Sequence, residues 1–147
     1  MCFISLNTFI KKHIKLKKIK NNIYIYCVIR KKLFLFKKEE LTRQYIIFLL
    51  KKIRNYEYTN ILVEFPICIN GIHKRTDILV IKTHQKPHIL IECKSPCIKI
   101  TQKTFDQISM YNTVINAPFL WISNGITNLL FKIDKLNKKY SFEKKIP

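Results

Sequence analysis

The succession of patterns along this chain predicts a mixed α/β fold, a central mixed sheet with helices packed on it. Two stretches repeat apolar residues at helical spacing. Between and after them lie short apolar or alternating runs bounded by turn residues. Their order is helix, three meandering strands, helix, two strands, and 48% apolar residues in 147 give one domain enough material for a core.

Each element has its own signal. Residues 1–22 are basic and irregular, with some helix, and form an N-terminal segment ahead of a single domain over 23–147. Ile23–Val28 and Lys32–Phe36 read as short strands around Arg30-Lys31. From Glu39 the period changes: Leu41, Tyr45, Phe48, Leu49 and Ile53 fall on one helical face ending near Arg54. Glu39 and Glu40 occupy its first turn, where the helix dipole favours acids. Ile61–Ile67 is a strand, Asn70-Gly71 a turn, and residues 74–81 a second strand. Pro87 marks a turn before the strand 88–94, and Ser95-Pro96 ends it. The second helix spans Thr101–Asn116, with Phe105, Ile108, Tyr111, Asn112 and Ile115 on its inner face. Ala117-Pro118 breaks it. Phe119–Ser123 is a buried strand holding Trp121 in the core, Asn124-Gly125 a turn, Ile126–Ile133 a strand, and Tyr140–Pro147 a short strand-like end.

The net charge is +19, and residues 1–38 hold ten lysines, one arginine and no acid. An anionic partner, nucleic acid first, fits that balance. A compositional reading competes with it. Isoleucine, lysine and asparagine dominate, alanine appears once and glycine twice, as A/T-rich codons would give. No apolar run approaches the ~20 residues of a membrane-spanning helix. The opening Met1-Cys2-Phe3-Ile4 puts apolar residues before the lysines, the wrong order for a secretory signal, so the expected location is cytoplasmic with no membrane partner. Five cysteines, Cys2, Cys27, Cys68, Cys93 and Cys97, suggest neither a disulfide framework nor a zinc knuckle. They are read as reduced, mostly buried thiols. His84 and His88 flank Gln85-Lys86-Pro87 and read as solvated loop residues.

One constellation carries chemistry. Asp77 lies on one strand of a neighbouring pair, and Glu92 and Lys94 lie on the other. Residues i and i+2 of a strand share a face, so Glu92 and Lys94 point the same way at the end of a run apolar enough to be buried. Buried charges are costly unless they bind something. Two carboxylates beside an ammonium suit a divalent metal and a phosphate. Magnesium prefers oxygen, keeps several waters and takes one or two carboxylates. Asp77 and Glu92 supply those, with the Cys93 carbonyl as a third oxygen, and Lys94 can orient water or offset developing negative charge. Gln107 and Tyr111, four apart on the second helix, share a face and reach towards a phosphate or the lysine. Glu64 reads as an edge-strand acid without a role.

These residues and segments resemble the PD-(D/E)XK nuclease-like superfamily, and within it the type I restriction enzyme R-subunit N-terminal-like domain in a small stand-alone version. The resemblance runs from Ile29-Arg30-Lys31-Lys32 and Glu39-Glu40-Leu41-Thr42-Arg43-Gln44 through Lys74-Arg75-Thr76-Asp77-Ile78 and Ile91-Glu92-Cys93-Lys94-Ser95-Pro96. It closes with Phe105–Asn112 and Ser123-Asn124-Gly125. It implies a restriction-endonuclease-like αβββαβ core, Asp77, Glu92 and Lys94 as the catalytic set, and Mg²⁺ as cofactor with Mn²⁺ as a substitute. It implies Glu40 as a further metal ligand from the first helix. Gln107, Tyr111 and Arg75 are implied near the DNA backbone or supporting the site. Further restriction-modification subunits or a second copy of the chain are implied as partners. The chain departs from the pattern at Tyr26-Cys27, where an acid is expected, and it has no helicase motor.

The first functional expectation is therefore a magnesium-dependent DNA endonuclease-like domain. The alternative is a non-catalytic nucleic-acid-binding module that keeps the fold, with a small RNA-binding protein third.

Overall fold

The computed structural model describes residues 4–147. The elements in order are α1 (Leu6–Lys12), β1 (Leu16–Ile19), β2 (Asn22–Cys27), β3 (Lys32–Leu35), α2 (Lys38–Arg54), β4 (Ile61–Ile69), β5 (Ile72–Lys82), β6 (Lys86–Cys93), α3 (Gln102–Ile115), β7 (Phe119–Ser123), β8 (Asn128–Asp134) and β9 (Lys139–Phe142). They make two sheets, a small antiparallel one of order β1-β2-β3 and a six-stranded one of order β4-β5-β6-β7-β8-β9. Among the described residues only β6 and β7 run parallel, and the crossover between them is α3. A parallel neighbour needs such a connection, which makes the sheet mixed. From α2 to β7 the chain runs αβββαβ, the restriction-endonuclease-like arrangement.

The sequence explains the layers. The middle of α2, Tyr45–Leu50, is an unbroken apolar run, with Tyr45, Ile46, Ile47, Leu49 and Leu50 all at most 1% exposed. A helical segment apolar all round is buried on both sides. α2 indeed shares one core with Phe9 of α1 and Ile25 of β2 on one side, and with Ile78, Ile91 and Trp121 of the large sheet on the other. α3 is amphipathic and covers the opposite face of that sheet, where Ile108, Tyr111 and Ile115 meet Leu79, Leu90 and Ile122. Thr101 caps α3 in a capping box, and Asn116 ends it in the left-handed region at φ 62°.

Five readings need correction. The stretch expected to be irregular with some helix holds the helix α1 but also the strand β1. All four residues of β1 are exposed, so no alternation of burial marks it as a strand. The turn into β6 falls at Thr83–Gln85, where His84 and Gln85 take positive φ, and Pro87 lies inside the strand opposite Ile81. His88 is therefore buried rather than solvated, edge-on to the Phe119 ring at 5.2 Å. Burial, with Lys82 and Arg54 nearby, pushes its imidazole down to about 4. Cys68 and Cys97 are exposed while Cys27 and Cys93 are buried, and Cys2 lies outside the described residues. Glu64 sits on edge strand β4 but has a partner: its carboxylate accepts from Arg30 Nη1 at 3.1 Å.

Candidate active site

The site forms where two strands part. β5 and β6 are paired from Lys82/Lys86 to Ile78/Ile91, and Asp77 and Glu92 stand one step beyond that last pair. There β5 continues against β4, while β6 continues against β7 and its chain is held on by Lys94 N–H donating to Ser123 O at 2.8 Å. The opening leaves two carboxylates facing a gap that no ladder fills. Asp77 is tied across it, its Oδ2 accepting the Cys93 N–H at 2.7 Å.

Strand alternation puts Glu92 and Lys94 on the α3 side, and the contacts follow. Lys94 Nζ donates to Glu92 Oε1 at 2.7 Å. Gln107 of α3 joins both: its amide oxygen accepts from Lys94 at 3.2 Å and its amide nitrogen donates to Glu92 Oε1 at 2.9 Å. The same amide nitrogen lies 3.3 Å from the Tyr111 hydroxyl, one helical turn on. Tyr111 is buried, so it braces Gln107 and does not itself face outwards. The side chain of Lys94 keeps 22% of its surface, enough for a ligand to reach.

The α2 side supplies a second cluster. Glu40 accepts from Arg30 Nη2, from Arg43 Nη1 and from Gln44 Nε2 at 2.9 Å. Arg43 also donates to Asp77 Oδ1 at 2.7 Å, so one guanidinium bridges Glu40 and Asp77. The Glu40 carboxylate is thus separated from Asp77 by the Arg43 guanidinium. Glu39, its neighbour in the first turn, is the α2 acid whose charge is felt by Asp77, Lys94 and Glu92. Adjacent glutamates of one helix meet different neighbours, and the phase of α2 against β5 sets which. Arg75, two residues before Asp77, is exposed and has no ion pair among the described residues.

The electrostatics differ across Arg43. Burial, then the charge of Asp77, pushes Glu92 up to about 7, although Lys94 pulls the other way. Burial alone would lower Lys94, but Glu92, Asp77 and Glu39 more than offset it and its pKa rises. Burial and Asp77 also raise Glu39. Glu40 goes down: burial opposes this, but Arg30 and Arg43 outweigh it. The fork therefore carries an unbalanced excess of acid, and the cluster behind it is neutralised.

The fold and this strand-end cluster define an α+β, restriction-endonuclease-like protein. The family model described as Type I restriction enzyme R protein N terminus (HSDR_N) matches residues 38–147, and the chain belongs to that family. No curated protein matches the chain. The match begins at the first residue of α2, so α1 and the small sheet lie outside it. No helix among the described residues is long and apolar enough to cross a membrane.

Proposed function

We propose that this protein is a magnesium-dependent DNA nuclease that hydrolyses phosphodiester bonds at the β5–β6 fork. The observation carrying this is the juxtaposition of Asp77, Glu92 and Lys94 at a strand opening, with acid in excess. Family membership supports nuclease-like chemistry and a restriction-modification setting.

The donor set suits a hard cation. Among the described residues, no three His, Cys, Asp or Glu side chains converge as a metal cage, which disfavours zinc-type binding. Magnesium asks for less, one or two carboxylates with the remaining positions taken by water and phosphate oxygens. Asp77 and Glu92 would hold it, with the Cys93 carbonyl completing the set. When bound, such an ion polarises the scissile phosphate and acidifies a water.

The chain's own groups do the rest. Asp77 is fixed by Arg43 and the Cys93 amide, one on each oxygen, which holds its carboxylate in one orientation. Lys94 keeps its charge and donates from Nζ, either to the attacking water or to the oxygen on which negative charge grows. Gln107 sets the direction of Lys94 and Glu92 together, and Tyr111 sets Gln107. Partners would be DNA and, as the family suggests, other restriction-modification subunits or a second copy of the chain.

The test is cleavage of supercoiled, linear, single-stranded and branched DNA with Mg²⁺ or Mn²⁺, comparing wild type with Lys94→Ala. Cleavage by wild type alone is expected. Binding without cleavage of any form would instead favour the non-catalytic module, a reading for which the two-carboxylate site and the basic surface already give some footing.

A further inference from the structure

The unit ahead of the family match has its own chemistry. Residues 4–37 contain nine lysines and one arginine, and all nine acids of the chain fall at Glu39 or later. Codon bias can multiply lysines, but it does not clear acids from one folded unit. None of these lysines is ion-paired among the described residues; only Arg30 is. Uncompensated ammonium groups on an exposed sheet create a positive potential suited to a polyanion.

The register sorts the small sheet into two faces. Leu16, Ile25 and Phe34 form one cross-strand row, and Ile25 and Phe34 pack into the core with α2. The next row, Lys17, Tyr24 and Leu35, faces the other way. Beside it, the Lys15 carbonyl accepts the Tyr26 N–H at 2.9 Å, and Lys15 Nζ lies 5.7 Å from the centre of the Tyr26 ring. Lys15 and Lys17 are exposed and the two tyrosines half-buried. Lysines and aromatic rings in adjacent rows are the two components of single-strand binding, ammonium for phosphate and ring for base.

The sheet is also placed. Arg30, in the β2–β3 turn, is anchored to Glu40 and to Glu64, and Glu40 reaches Asp77 through Arg43. The end of the small sheet therefore abuts the fork.

We propose that the outward face of β1–β3 binds a single-stranded segment of DNA, with Lys15 and Lys17 on its phosphates and Tyr24 stacking against a base, and delivers that strand to the fork. This rests on the reading of the protein as acting on DNA, but it concerns binding, which can be measured without cleavage. Duplex DNA would use the lysines and leave the ring idle, since its bases are already stacked.

The experiment is fluorescence anisotropy of labelled single-stranded and duplex oligonucleotides of equal length, in EDTA, across a salt series. Wild type is expected to prefer the single strand. Changing Lys15 and Lys17 together to Ala should flatten the slope of log Kd against log salt by about 1.4, at about 0.7 per phosphate contact. Tyr24→Leu should weaken single-strand binding about tenfold or more and leave duplex binding nearly unchanged. The lysine positions are exposed, so that variant tests the proposal even if Tyr24→Leu disturbs folding. Unchanged affinity and slope in the lysine variant, or duplex preference with Tyr24→Leu neutral, would overturn the proposal. Cleavage is scored separately, so a protein that binds as expected yet cuts nothing would sink only the nuclease reading.

Discussion

Two charged clusters meet at Arg43, and they are built to opposite ends. Behind it, Arg30 and Arg43 enclose Glu40, with Glu64 and Gln44 adding contacts. There positive and negative groups balance, and Glu40 is held well ionised. In front of it, Glu92 contacts Lys94, the charges of Asp77 and Glu39 also act on that lysine, and Glu92 is pushed up to about 7. A buried pair that is already matched needs no visitor; a buried excess of acid calls for a cation. The rear cluster reads as scaffold and the front one as site. Arg43, shared by both, keeps Asp77 in place.

The largest expected effect breaks the shared residue. Arg43→Met leaves Glu40 and Asp77 short of a partner and should cost about 3–5 kcal/mol of stability, measured by urea unfolding. A cost under 1 kcal/mol would mean the rear cluster is not scaffold. Lys94→Ala comes next: it should fold normally and lower cleavage about 10²- to 10³-fold, a loss comparable with removing one transition-state donor.

A subtler effect is titration. Glu92 holds its proton in the folded state across roughly pH 4.5–7, while the unfolded chain releases it near 4.5. Its contribution to stability is therefore present below that window and lost as pH rises through it. Glu92→Gln should remove that falling slope. His88 acts with the opposite sign: held down near 4, it contributes stability above about 6.5 that is lost as pH falls towards 4. The comparison must therefore be between variant and wild type, read from unfolding at several pH values. An identical pH profile for Glu92→Gln would refute the raised Glu92. The smallest effect is Glu64→Ala, a partly exposed pair with Arg30, expected at about 0–1 kcal/mol in the same assay.

Much of this was legible in the sequence where residues repeat with a period. α2, α3 and the strands of the large sheet announce themselves by apolar spacing. The Glu92–Lys94 contact follows from strand alternation, and Gln107–Tyr111 from the helical turn. What could not be read depends on how elements meet. β1 buries no residue, so it has no burial signal. His88 is buried because the β5–β6 ladder shifts register between Val80 and Ile81 and draws Pro87 into the strand. The Arg30–Glu40–Arg43–Asp77 chain links residues 47 positions apart in sequence, from Arg30 to Asp77, and no local pattern foretells it. Which neighbours Glu39 and Glu40 meet likewise depends on the orientation of α2.

The most direct test of the central claim is calorimetric titration of Mn²⁺ into the metal-free protein near pH 6, in two buffers of different ionisation enthalpy. The account predicts binding at one site with release of a proton, because the cation drives ionisation of Glu92, and loss of that binding in Asp77→Asn. Binding without proton release, or binding that survives Asp77→Asn, would contradict it.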